Sequence, residues 1–314
     1  MITQNKFSPW LKNDVSKWSN DKKYRHRLIT EHPNKRDDFL EELASYVHAA
    51  HEDARIYLRE AFLENNLDPL EAPPSFDPTE GYPELLHIEA LQGYFGEIFA
   101  GLIAEHFSPF DENSWKVPLF LFRYHIVAFQ ELERIHQTGT SAKKIPGRTG
   151  DDCLAFQLDS EGQIIRYLYC EAKCTTGGNK TNLVGNAHDS VSISVPVDIP
   201  RIIEVLKKRE DAESKQWVLA LQKLSLFLRK KLPENCNYEP ERCDMVSYIC
   251  SKSPASKTRT AWLSKSKPHE KYKAQRRLET VEIHLPAVRE LIQKVYERKN
   301  IIKTEISIEY ALKD

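Results

Sequence analysis

Nowhere in its 314 residues does the chain carry a run of about eighteen apolar residues, so no segment is suited to cross a bilayer as a helix. The first twenty residues also lack an apolar h-region: Lys6, Lys12, Asp14 and Lys17 interrupt their few apolar positions, and a secretory signal is not expected there. Cysteine is sparse. Its six copies, Cys153, Cys170, Cys174, Cys236, Cys243 and Cys250, are too dispersed for a disulfide framework and are expected to be reduced thiols in a cytoplasmic protein. No internal repeat or low-complexity tail is present, which excludes solenoids and disordered tails. Nor does one charge dominate: 45 Lys and Arg against 46 Asp and Glu leave a net charge of −1, which excludes a uniformly basic protein. What is there is 40% hydrophobic and 29% charged, enough for a proper core in one large domain or two small ones.

The near-zero charge conceals a polarised distribution. Between Lys252 and Arg277 lie Lys257, Arg259, Lys265, Lys267, Lys271, Lys273 and Arg276, with Glu270 the only acid among them. Trp262 and Tyr272 are interleaved. Clustered cations with aromatics suit contact with a phosphate backbone, with little sequence preference, because such residues reach phosphates more than base edges. Lys143, Lys144 and Arg148 could extend the same surface. A bare charge run is more commonly a solvated loop, so the tract is a candidate DNA contact only.

Apolar residues at three- and four-residue spacing predict a helix over Asp37 to Asn65, and three prolines between Ala72 and Pro78 then break regular structure. A boundary is placed near Gly81, giving a helical N-terminal region (1–80) and a second domain (81–314) that includes the basic segment 252–277. Glu84 to Phe107 carries the strongest helical pattern, broad enough to predict burial. On it Ala90, Gly93, Glu97, Gly101 and Ala104 form a narrow stripe, and Glu97 is the only large group on that small-residue face. Glu89 and Glu105 are the alternatives for a functional carboxylate on this helix. Val117 to Phe129 has no clear period, and Gln137 to Gly150 reads as a loop.

Asp152 to Leu158 and Gln163 to Lys173 read as two strands joined by the turn Asp159 to Gly162, a β-hairpin. Helices are then predicted from Asp198, placed to cap, through Lys208, and from about Glu213 to Lys231. Cys243 to Cys250 and Leu278 to Leu285 are strand candidates, and Ala287 to Arg298 a closing helix. The order implies an α/β or α+β fold with a mixed central sheet flanked by helices.

The chemistry concentrates on the hairpin. Glu171 and Lys173 are two apart on a strand, so their side chains leave one face about 7 Å apart. Asp151 and Asp152 begin the partner strand, close to them if the tight turn sets the register. Two carboxylates and an ammonium that converge can hold Mg²⁺ or Mn²⁺, with the lysine orienting or deprotonating an attacking water; that set suits phosphodiester hydrolysis. His48, His51 and Glu52 have the wrong order and spacing for a zincin site, and Cys170 and Cys174 lack a second pair for structural zinc.

These residues resemble the PD-(D/E)XK nuclease core, in which an aspartate opens one strand and an acid-x-lysine closes the next. The resemblance covers roughly Glu84 to Leu206. It implies that Asp152, followed directly by a strand-like Cys-Leu-Ala-Phe, is a metal ligand, with Asp151 the alternative. It implies further that Glu171 is the second ligand, Lys173 the catalytic lysine, and Glu97 the acid that many members place on a preceding helix. Gly150 and Asp151 stand where the name-giving motif has a proline. The helical lead-in and the basic tail are similar, more loosely, to HamA-like (Hachiman-type) subunits of bacterial antiviral defence, which implies a helicase or ATPase partner. The expectation is a metal-dependent DNA endonuclease. The alternatives are a catalytically inert nucleic-acid-binding subunit, a protein-interaction scaffold using the N-terminal helices, and an RNase of the same fold.

Overall fold

The computed structural model describes residues 6–32, 34–64, 77, 79–112, 114–121, 152–177, 181–209, 211–254 and 260–298. Among them, in chain order, are β1 (Leu11–Val15), β2 (Tyr24–Glu31), α1 (Arg36–Glu64), α2 (Ile88–His106), a 3₁₀ turn (Pro109–Asp111), β3 (Cys153–Leu158), β4 (Ile164–Thr175), α3 (Thr181–Ile193), α4 (Ile199–Lys208), α5 (Ala212–Leu228), β5 (Glu241–Cys250), β6 (Arg277–His284) and α6 (Val288–Glu297). No helix among these residues is long and apolar enough to cross a membrane.

The strands form one sheet in the order β1-β2-β6-β5-β4-β3. β2, β6, β5 and β4 are mutually parallel, and β1 and β3 close the two edges as antiparallel partners. The fold is therefore mixed α/β, a six-stranded mixed sheet with helices on both faces, as the element order implied.

Alternation along the strands sorts the core into two layers. On one face Ala155, Leu168, Cys170, Ala172, Met245, Ile249, Val281 and Ile283 pack with α1, α2 and α6. On the other, Phe156, Tyr167, Tyr169 and Val246 pack with α3, α4 and α5, through Val191, Ile202, Leu206, Trp217 and Leu221.

The hairpin forms where expected. Asp159 Oδ1 accepts the N–H groups of Glu161 and Gln163, and Gly162 takes φ +77°, which an L side chain adopts only with strain. This turn sets Cys153 opposite Cys170, with one register shift at Gln157 and Leu158.

The helix expected over Asp37 to Asn65 is α1, but the N-terminal region expected to be helical (1–80) also holds the strands β1 and β2 ahead of it. The strand pattern of β2 is hidden because Arg25, His26 and Arg27 occupy it, and all three are buried. They are matched across the sheet: the charges of Arg25 and Arg27 meet Glu279 at 2.6 and 2.5 Å, and the His26 ring contacts Glu282 at 3.4 Å. An ion pair made between strands distant in sequence leaves no periodic trace. Residues on both sides of the expected boundary near Gly81 thus share the sheet, since β2 lies between β1 and β6. The helix α3 is absent from the sequence reading altogether. Asp198 makes no side-chain capping bond; α4 begins at Ile199 and Pro200, and it is Asp211 that caps α5, accepting from Ser214 N at 2.7 Å. His48 and His51 are interior, bonded to Val295 O and to the hydroxyls of Tyr82 and Tyr296.

Parallel neighbours require a connection that returns along the sheet. Between β4 and β5 it contains α3, α4 and α5. Between β5 and β6 it is the basic tract, which shows no helix among its described residues and runs over the same sheet face as α3.

Candidate functional site

The parallel register places Glu171, Val246, Thr280 and His26 in one row across the sheet, and Lys173, Tyr248, Glu282 and Leu28 in the next. Glu171 and Lys173 therefore point to the face covered by α3 and the basic tract, near the carboxyl end of β4, where ligands of open α/β sheets bind.

Asp152 completes a cluster with them. β3 begins at Cys153, and beyond it Asp152 Oδ2 accepts the N–H of Ala172 at 2.8 Å, taking over where the β3–β4 ladder ends. Lys173 Nζ lies 2.5 Å from Glu171 Oε1 and 3.6 Å from Asp152 Oδ2. Ser190 of α3 donates to the other Glu171 oxygen at 3.2 Å. Both carboxylates are below one-tenth exposed, whereas Lys173 is about a quarter exposed, so the site opens to solvent on the lysine side.

Burial pushes the Glu171 carboxyl up, and the charge of Asp152 pushes the same way against the pull of Lys173. Among the described residues, two buried carboxylates, Asp152 and Glu171, converge on Lys173. Each oxygen can accept more than one partner, so the donor set fits a hard divalent cation.

Of the three acids considered on α2, Glu89 is exposed, and Glu105 accepts from Tyr46 Oη and Val117 N. Glu97 is the buried one, 3% exposed. Its helix crosses β4 on the opposite face: a Cβ at Gly96 would stand 3.4 Å from that of Cys174, and Gln92 Nε2 donates to Cys174 O at 2.6 Å. Gly101 of the small-residue stripe faces Val117 and Phe120, and it is Gly96, outside that stripe, that lies against Cys174 and Ala172 of the sheet. Asp152, Glu171 and Lys173 are brought together, whereas Glu97 is buried on α2, which packs on the opposite face of the sheet. Asp151 lies outside the described residues, as do Lys143, Lys144, Arg148, Lys257 and Arg259.

The remaining basic residues divide. Lys265, Lys267, Lys271 and Lys273 are exposed. Arg276 is turned inward, bonded to Asp244 at 2.8 Å and to the carbonyls of Val191 and Ser192, so its guanidinium joins α3 to β5 instead of projecting as a cation for DNA.

A second polar cluster went unnoticed in the sequence. Glu282 accepts from the backbone N–H of Trp262 and Leu263, at 2.8 and 2.9 Å, and meets His284 Nε2 at 2.5 Å and His26 Nε2 at 3.4 Å. Burial pushes its carboxyl up, but the bonds from His26, His284 and the two amides outweigh this and hold it down at about 2. Donor atoms of Cys250, Glu282 and His284 lie within 4.8 Å of one another, close enough for a metal. The carboxylate oxygens are already engaged by those four donors, and the cluster serves as the anchor of the basic tract on β6. Ser190 and Glu282 escaped sequence reasoning because neither belongs to a local motif; each is defined by a partner across the fold.

No protein-family model matches the chain, and no curated protein matches it.

Proposed function

We propose that the protein is a metal-dependent nuclease of the PD-(D/E)XK type acting on DNA. The observation that carries this reading is the meeting of Asp152, Glu171 and Lys173 at the carboxyl end of β4, on the face crossed by a lysine-rich tract. A hairpin at the edge of a mixed sheet, with a buried acid on a helix behind it, agrees with that core.

In this reading Asp152 and Glu171 would hold Mg²⁺ or Mn²⁺, with Glu97 the further acid the resemblance implies. When bound, the ion would supply Lewis acidity for the scissile phosphate and for a water. Ser190 orients Glu171 by donating to one oxygen, and the Ala172 amide orients Asp152. Lys173 Nζ, tethered to Glu171 and open to solvent, positions the attacking water and balances the charge of the carboxylates. Exposed Lys265, Lys267, Lys271 and Lys273 draw the phosphate backbone towards this face. Such activity in the cytoplasm, where reduced thiols persist, would endanger the host genome, so control by a helicase or ATPase partner within an antiphage defence system belongs to the proposal.

Plasmid cleavage with Mg²⁺, Mn²⁺ or EDTA tests it, with the wild type beside Lys173→Ala and Glu171→Ala and with single-stranded DNA and RNA as parallel substrates. The expected result is metal-dependent cleavage of DNA, lost by at least about a hundredfold in both variants. Retention of DNA without cleavage under any metal would replace the enzyme by an inert binding subunit.

A further inference from the structure

The basic tract does more than lie on the sheet: it encloses a cavity of about 440 Å³ with α3 and the start of β2. This is within the range of about 300–1,000 Å³ typical of small-molecule sites. Trp262 and His269 are the partly exposed rings of its wall, the nearly buried Tyr24 and His188 lie at its base with Val184, and Lys267 and Glu270 are its charged lining residues. Lys267 is exposed, and Lys265, Lys271 and Lys273 outnumber Glu270 around it.

The cavity is preformed. Trp262 is held by its backbone N–H on Glu282 and by its indole N–H on Lys252 O at 2.7 Å, and Tyr24 Oη donates to Ser264 O at 2.6 Å. Further along, Ser192 Oγ accepts from the amides of Lys273 and Ala274 at 2.9 Å. The fourth constraint is Gly185, inside α3, where glycine costs a helix about 1 kcal/mol relative to alanine. A Cβ there would stand 3.0 Å from His269 Cε1 and 3.4 Å from Lys271 Cδ, so the glycine is what lets the tract approach the helix. His269 in turn lies against His188, with ring centroids 5.6 Å apart.

Within a duplex the faces of the bases are hidden in the stack, and an aromatic pocket with a cation beside it can engage a base only once it is unstacked. The pocket also shares the sheet face of the triad: His188 reaches Thr280 on β6 at 3.4 Å, and Ser190 of the same helix reaches Glu171 on β4.

We propose that this cavity is a subsite for one unstacked nucleotide of a single strand, with its base among Trp262, His269 and Tyr24 and its phosphate against Lys267. The inference takes its nucleic-acid class from the nuclease reading and adds that the substrate is engaged as a single strand. The same base-and-phosphate chemistry is offered by a free nucleotide, and the experiment separates the two.

Fluorescence anisotropy of a labelled single-stranded oligothymidylate, in EDTA so that nothing is cleaved, measures the affinity of the full chain. Trp262→Ala, His269→Ala and Lys267→Glu are compared with the wild type, His269→Ala and Lys267→Glu serving if loss of the indole unfolds the tract. The expected outcome is a loss of about tenfold or more for each aromatic change, the scale of one base–aromatic stack, with much less effect on a duplex of equal length. Variants binding the strand within twofold of the wild type overturn the subsite. So does thymidine monophosphate competing as strongly as the strand, which would make the cavity a free-nucleotide site. Loss of plasmid cleavage alone leaves these affinities standing, so failure of the nuclease reading and failure of the subsite are separately visible.

Discussion

Glu171 is held in a protonation balance that a divalent ion should reverse. Its pKa in the folded chain is raised by burial and by Asp152, so the neutral form is favoured there relative to the unfolded chain. The sign follows: any stabilisation from this group is fully present below its unfolded pKa and is lost as pH rises through the folded value. Above its folded pKa the charged carboxylate is thus a cost, and there Glu171→Gln should match or exceed the wild type in Tm when metal is absent. Mg²⁺ or Mn²⁺ should then raise the Tm of the wild type and not that of the variant, and metal affinity should fall as pH drops through the folded pKa of Glu171. Thermal melts across pH, with and without metal, read both; a variant still stabilised by metal would remove Glu171 from the ligand set.

Glu282 has the opposite sign. Held at about 2, it contributes stability above its unfolded pKa and loses it as pH falls towards that value. Glu282→Ala leaves two buried imidazoles and two amides without their acceptor, and is expected to cost about 3 kcal/mol or more in denaturant unfolding. Wild-type stability in this variant would mean that the tract is not anchored there. Neither effect was legible in the sequence, where Glu282 is an unremarked acid in a short strand. Its environment is assembled from β2, β6 and the loop that carries Trp262 and Leu263.

At the scale of elements, the two glycines of α2 at Gly96 and Gly101 have different surroundings. At Gly96 an added Cβ meets Cys174 at ordinary contact distance, so Gly96→Ala should be neutral or stabilising by up to about 1 kcal/mol through helix propensity. At Gly101 the same methyl would stand 2.4 Å from Phe120 Cζ and 3.3 Å from Val117 Cγ2, and Gly101→Ala should cost about 1–3 kcal/mol. Unfolding curves for the two variants, side by side, give the comparison; equal effects would show that the packing on this helix has been misassigned. The hairpin, by contrast, was legible in detail, because two short runs of apolar and aromatic residues flank a turn whose Asp159 and Gly162 act locally. The helix α3 was not, because Thr181, Asn182, Gly185, Asn186 and the β-branched Val184, Val191 and Ile193 are poor helix formers, and the element is stabilised by packing on β4 and β5.

For the molecule as a whole, the balanced total charge is separated in space, with exposed lysines on the face of the triad. Binding of DNA to that face should weaken steeply with salt. Reversing Lys265, Lys267, Lys271 and Lys273 together should flatten the slope of log affinity against log salt by up to about 3.6, roughly 0.9 for each phosphate that a lysine no longer neutralises. Arg276→Gln should instead lower stability, since its guanidinium is bonded to Asp244 and to α3. A slope unchanged after the lysine reversals would place the nucleic-acid surface elsewhere.

By itself the sequence determined what depends on neighbours along the chain. It supplied the apolar periods of α1 and α2, the turn that pairs β3 with β4, the acid-x-lysine that shares a strand face, and the cluster of lysines. Those features follow from local dihedral preferences and from side-chain periods of 3.6 and 2. Only the tertiary structure decided what depends on residues far apart. The order of the parallel strands carries the basic tract across the triad's face, β2 can bury Arg25 and Arg27 because Glu279 arrives beside them, and Ser190 reaches Glu171 because α3 folds back over β4. Burial of charge is tolerable only where its partner arrives in space, and that arrival is written in no single stretch of the chain.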